Sequence, residues 1–133
     1  DTTIEAPKDA GEYVLYVLPA GDDDSSAALS EGDNTLTVHP VIATTDTVDS
    51  TTDNSQDLTI SLTGDTIADS PTSANWSLSA GTVDNVTKDG SNTATLTVSS
   101  MNSADLSSGL TLTVPASELT GDIPTQATSL TVE

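Results

Sequence analysis

Leu58-Thr59-Ile60-Ser61-Leu62 decides the fold class. Apolar side chains stand at every second position with hydroxylated ones between them. That two-residue period belongs to a strand with one face on a core and the other in water. The alternation returns at Leu36-Thr37-Val38, Leu96-Thr97-Val98, Leu110-Thr111-Leu112-Thr113-Val114 and Leu130-Thr131-Val132. Threonine suits the solvated face because its branched Cβ packs well on a pleated surface. Turn-formers separate these runs: Gly64-Asp65, Asp69-Ser70-Pro71, Asp89-Gly90-Ser91-Asn92, Ser108-Gly109 and Gly121-Asp122. Glycine supplies positive φ in such turns, and Asp or Asn bonds back to its own backbone. Short strands punctuated in this way predict an all-β sandwich or barrel.

Outward from that run lies Ala74-Asn75-Trp76-Ser77-Leu78-Ser79-Ala80-Gly81-Thr82, which holds the single tryptophan. Alternation points Trp76 and Leu78 inward, making Trp76 the centre of a core of Leu, Val, Ile and Ala that contains no phenylalanine. The stretch continues through Val83 and Val86 to the turn at Asp89-Gly90 and a strand from Thr93 to Ser99. As a whole, NWSLSAGTVDNVTKDGSNTATLTVSS resembles the middle section of bacterial and archaeal immunoglobulin-like (Big-type) surface domains. The shared features are a core tryptophan, a Gly-Thr turn and an Ala-Thr-Leu-Thr-Val strand. The resemblance implies an immunoglobulin-like β-sandwich over residues 35–133, preceded by an extended N-terminal arm and strand. It also implies a surface location and a role in adhesion, spacing or assembly rather than catalysis. The disulfide and tyrosine corner of antibody domains are absent, both tyrosines lying near the N-terminus.

A chain of 133 residues amounts to one domain and buries roughly two thirds of its unfolded surface, enough for a core without staples. It has no cysteine, which excludes a thiol nucleophile, a zinc-thiolate centre and a disulfide framework. The 21 acidic residues face two lysines and no arginine, for a net charge of −19. Such a surface repels nucleic acid and anionic lipid, whose recognition needs clustered cations. Self-repulsion of this size is relieved by salt, which shortens the Debye length to roughly 3 Å at 1 M. An acidic surface rich in Asp, Thr and Ser is therefore expected of a high-salt setting, such as a halophilic archaeon or its virus; stoichiometric Ca²⁺ binding and marine origin are the competing causes. No stretch approaches the roughly 20 apolar residues of a membrane span, so no membrane insertion is expected. The start at Asp1 is explained by proteolytic maturation, most simply signal-peptide removal, and equally well by an assembly protease or by a chain shortened artificially.

Residues 1–34 read as an N-terminal arm, an apolar strand and an acidic loop. Thr2 to Gly11 is polar and carries Pro7, while Tyr13-Val14-Leu15-Tyr16-Val17-Leu18 is apolar on both faces. A strand exposed on one side alternates; one covered on both sides does not. Uncovered, this uncharged run of high β-propensity would drive aggregation. Two covers are open: the strand is central in its own domain, or it is an assembly strand inserted into a neighbouring copy by β-strand addition.

Few residues offer chemistry. His39 is the sole histidine, precedes Pro40 at a strand end, and has no Gly-x-Ser-x-Gly nucleophile elbow to serve. Carboxylate pairs of glycosidase type need a cleft and aromatic platforms, which the composition does not supply. Asp22, Asp23 and Asp24 form the densest oxygen cluster and are the expected donors if Ca²⁺ binds, since Ca²⁺ takes six to eight oxygens at about 2.4 Å. The series Asp46, Asp49, Asp53, Asp57, and Asp84 with Asp89 and Asn92, also put donors on loops, none at EF-hand spacing. Asn75-Trp76-Ser77 and Asn85-Val86-Thr87 are N-glycosylation sequons.

The expected role is a non-enzymatic structural subunit of an extracellular filament or pilus, joined to copies of itself through the Tyr13–Leu18 strand. The alternatives are a virion surface part of a halophilic archaeal virus, seated on a capsid lattice protein, and a Ca²⁺-dependent adhesion or spacer module.

Overall fold

Gln56–Thr63 keeps the period that its sequence announces. Leu58, Ile60 and Leu62 are buried while Asp57, Thr59, Ser61 and Thr63 face solvent. The computed structural model describes residues 7–14 and 35–133, among which nine strands form three sheets. In chain order these are β1 (Gly11–Val14), β2 (Thr35–Val38), β3 (Val41–Ala43), β4 (Gln56–Thr63), β5 (Ser77–Leu78), β6 (Thr82–Gly90), β7 (Thr93–Ser99), β8 (Leu110–Thr113) and β9 (Thr128–Leu130). The protein is all-β, with short 3-10 turns at Ser73–Asn75 and Ala116–Glu118. Among the described residues no helix is long and apolar enough to cross a membrane.

One sheet runs β3-β4-β7-β6 and another β5-β8-β9, antiparallel throughout. Register sets apolar side chains against apolar side chains: Leu58 pairs with Leu96, Leu96 with Val86, Leu110 with Leu130, and Leu112 with Leu78. Their inward faces join one core with Ile42, Val48, Ile67, Trp76, Met101, Val114 and Leu119. Each fully buried aliphatic side chain there is worth roughly 1.5–3 kcal/mol relative to exposure. Trp76 and Leu78 point inward as the alternation predicts, Trp76 buried and Leu78 partly so. Chain ends of the body close in parallel: Val48 N–H donates to the Thr131 carbonyl and Glu133 N–H to the Val48 carbonyl, both at 2.9 Å.

β6 is the outer strand of its sheet, and its ladder with β7 shifts register between Val83 and Asn85 and again between Lys88 and Gly90. The predicted turn at Asp89-Gly90-Ser91-Asn92 makes the β6–β7 hairpin, with Gly90 opposite Thr93.

β1 and β2 stand apart as a two-stranded antiparallel ribbon, Tyr13 opposite Leu36 and Gly11 opposite Val38. The Leu36-Thr37-Val38 alternation is thus a strand, but its partner is β1 and not a strand of the larger sheets. The passage from ribbon to body falls at His39-Pro40. Period-two alternation reports that one face is covered and not which sheet covers it. The ribbon is tied to the body where Ala10 N–H donates to the Gly64 carbonyl at 2.8 Å. Gly64 has φ +93°, and a Cβ there would meet the Lys8 carbonyl at 3.1 Å, so the join requires glycine.

Candidate functional site

The ribbon is the candidate assembly site, because it carries the start of the apolar strand. Tyr13 is half-buried and its hydroxyl donates to the Asp9 carbonyl at 2.8 Å, folding the arm back on the strand. Val14, next along, is 41% exposed. No residue of β1 or β2 is fully buried. Leu15, Tyr16, Val17 and Leu18 lie outside the described residues, as do the Ca²⁺ candidates Asp22, Asp23 and Asp24.

Beside the ribbon, His39 Nδ1–H donates to the Pro124 carbonyl at 2.8 Å. A carbonyl only accepts, so the bond fixes the tautomer and uses the ring as a strut between the ribbon junction and the segment before β9.

Among the described residues no group of three or more His, Asp or Glu converges. Asp46, Asp49, Asp53, Asp57 and Asp89 each take separate donors instead. Asp46 Oδ2 accepts Thr59 N–H at 2.6 Å, extending the edge of β4 beyond the reach of β3. Asp57 Oδ1 accepts the Thr97 hydroxyl at 2.6 Å and Asp89 Oδ2 the Thr95 hydroxyl at 2.7 Å, both between strands. Asp49 caps its own turn through the Thr51 hydroxyl and N–H at 2.6 and 2.8 Å. The Thr51 hydroxyl, then its N–H, holds the Asp49 carboxyl below its ordinary pKa, because both bonds favour the charged form. The Ser103 hydroxyl lowers Asp53 in the same way, and the Ser107 hydroxyl lowers Asp105.

A hollow of about 480 Å³ lies between Ser79-Ala80-Gly81 and Ser108-Gly109. Its walls are small side chains and Asp105, whose depressed pKa leaves it without a proton to give near neutrality. Lys88 reaches from β6, its Nζ donating to the Ile67 carbonyl at 2.8 Å and to Asp69 Oδ1 at 2.9 Å.

Both sequon asparagines are exposed but sit differently. Asn75 ends a 3-10 turn immediately before the buried Trp76. Asn85 is on the outer strand β6, where its Nδ2–H donates to the Thr87 hydroxyl oxygen at 3.1 Å.

Comparison of the chain with protein-family models, with curated proteins and with solved structures returns no match.

Sequence reading passed over two carboxylates that organise the loops. Asp65 accepts from Thr66 N–H at 2.7 Å, the Thr120 hydroxyl at 2.8 Å and Gly121 N–H at 3.0 Å, clasping two distant turns. Glu118 is buried, its Oε1 accepting Thr72 N–H at 2.7 Å. Partners 46 to 56 residues away leave no local signal. Only the Gly-Asp turn motifs at both ends of the Asp65 clasp hint at it.

Proposed function

We propose that the chain is a non-enzymatic structural subunit of an extracellular assembly of filament or pilus type, adapted to high salt. Its N-terminal strand docks on a neighbouring copy by β-strand addition. The ribbon carries this reading: β1 and β2 pair only with each other among the described residues, and Val14 stays exposed. Two strands alone are marginal in water, and a third strand supplies the missing ladder and cover. A strand from a second copy provides it through main-chain bonds that ignore sequence and side-chain pockets that read it.

The order of strands in the body supports an immunoglobulin-like sandwich. The runs β3-β4-β7-β6 and β5-β8-β9 fall in the A-B-E-D and C-F-G order of a constant-type domain. A net charge of −19, with a single ion pair among the described residues, supports a high-salt setting, where screening removes most of the repulsion between like surfaces.

Light-scattering mass of the intact chain and of a chain lacking residues 1–20, both in molar salt, tests the reading. Trp76 fluorescence reports whether the shortened chain is folded. An intact chain that assembles beside a folded, monomeric shortened chain is the expected result. A shortened chain that assembles equally well, or an intact chain that stays monomeric, overturns the strand-addition model.

A further inference from the structure

We infer that Asn85 carries an N-linked oligosaccharide on the open edge of the four-stranded sheet, and that Asn75 stays unmodified. The inference rests on the extracellular reading above. A transferase must reach the asparagine amide and read the hydroxyl two residues on. In β6 the buried Val86 turns Asn85 and Thr87 to the same solvent face, where Nδ2 and Oγ1 lie 3.1 Å apart. The pair is thus already assembled and accessible. The register shift between Val83 and Asn85 leaves Asp84 out of the ladder just before the sequon, and a bulge of this kind loosens an outer strand. Only β7 is hydrogen-bonded to β6, so presenting the sequon parts one ladder and withdraws one small core side chain, Val86.

Asn75 is exposed too but lacks the pre-assembled pair. Its N–H is tied to the Thr72 carbonyl at 3.0 Å and that of Trp76 to the Ser73 carbonyl at 3.2 Å. Ser77, like Thr87, is in a ladder, here opposite Thr113. Between them Trp76 is 3% exposed, so presenting this sequon means withdrawing an indole from the core, a far larger loss of burial than that of Val86. No hydrogen bond joins Asn75 to Ser77 among the described residues.

The chemistry is a substitution at a sugar carbon. Asn85 Nδ2 bonds to C1 of an oligosaccharide carried on a lipid phosphate or pyrophosphate. The C1–O bond to phosphate breaks, the phosphate leaves with the lipid, and one amide proton passes to a base of the transferase. No oxidant or reductant takes part. The product places a bulky, hydrated group midway along the longest outer strand, whose unpaired backbone would otherwise recruit other strands. β6 is thereby closed to pairing, which removes the longest open edge among the described residues as a competitor of the N-terminal ribbon.

The test is glycopeptide mass mapping of the full chain purified from its native cells, alongside N85Q, T87A, T87S and N75Q produced in the same cells. One oligosaccharide on the peptide containing Asn85 is expected, lost in N85Q and T87A and kept in T87S and N75Q. An unmodified Asn85, or an occupied Asn75, overturns the inference. Light scattering of the same sample in molar salt separates it from the reading it rests on. Assembled but unglycosylated protein sinks the glycan alone, and glycosylated protein that never assembles sinks the subunit model alone.

Discussion

Asp53 grips Ser103 across fifty residues of sequence, Oδ1 accepting its N–H and Oδ2 its hydroxyl, each at 2.7 Å. Ser100 N–H donates to the Asp53 carbonyl and Asn102 N–H to that of Thr52, both at 3.1 Å. The loop entering β4 is thus sewn to the loop leaving β7, and the carboxylate must be ionised to accept both bonds fully.

That requirement gives a pH dependence with a definite sign. The Ser103 hydroxyl depresses the Asp53 pKa from an ordinary value of about 3.9. A depressed folded value contributes stability above the unfolded value and loses it as pH falls through the folded one. Relief of self-repulsion on protonation acts in the opposite direction, so the melt belongs in molar salt, where that term is screened. Tm is expected to hold steady down to about pH 5 and to fall below about pH 4. Asp53→Asn should show a smaller fall, not none, since Asp49 and Asp105 are depressed alike. An identical fall in wild type and variant rules the clamp out as a source.

Trp76 presents two separable contributions. Its ring fills the core, while its buried Nε1–H has no hydrogen-bond partner. Trp76→Ala should cost about 3–5 kcal/mol through the cavity left behind. Trp76→Phe loses some contact area but also removes an unsatisfied donor whose burial costs roughly 1–3 kcal/mol. Phenylalanine should therefore recover most of the stability, within about 1.5 kcal/mol of wild type by denaturant titration. Equal costs for the two substitutions would mean that Nε1 has a partner in solution.

Lys88 and Asp69 form an ion pair whose two halves differ in worth. The Asp69 side chain is fully exposed, and exposed pairs contribute little. Lys88 also satisfies the Ile67 carbonyl at 2.8 Å beside the core. Lys88→Met keeps the apolar stem and should cost roughly 1–2 kcal/mol from that orphaned acceptor. Asp69→Ala should leave the unfolding midpoint unchanged. Matching losses would show that the ion pair, not the carbonyl, is what counts.

The surface charge predicts how stability follows salt. With 21 acidic residues against two lysines, Tm should rise as NaCl goes from about 0.05 to 1 M, the Debye length contracting from over 10 Å to about 3 Å. A chelator in molar NaCl should leave Tm where it is. A chelator-induced drop would instead point to bound Ca²⁺, with Asp22 to Asp24 as the first donors to substitute.

The strands themselves were legible in the chain. Leu58 to Leu62, Thr93 to Ser99 and Leu110 to Val114 carry their period within a few residues, because alternate side chains of an extended backbone must meet core and water in turn. Trp76 was legible as core for the same reason, and the Asp89-to-Asn92 turn by its residue types. β6 was harder to read, since its charges and register shifts blur the alternation that an inner strand would keep. Local pattern determined the all-β class and which face of β4, β7 and β8 is buried. Tertiary structure alone decided that β2 pairs with β1, that Val48 bridges in parallel to Val132 beyond β9, and that Asp53, Asp65 and Glu118 bind loops far along the chain. Each of those pairings depends on the closure of the sheets bringing distant donors to a carboxylate or carbonyl, and no window of neighbouring residues contains both partners.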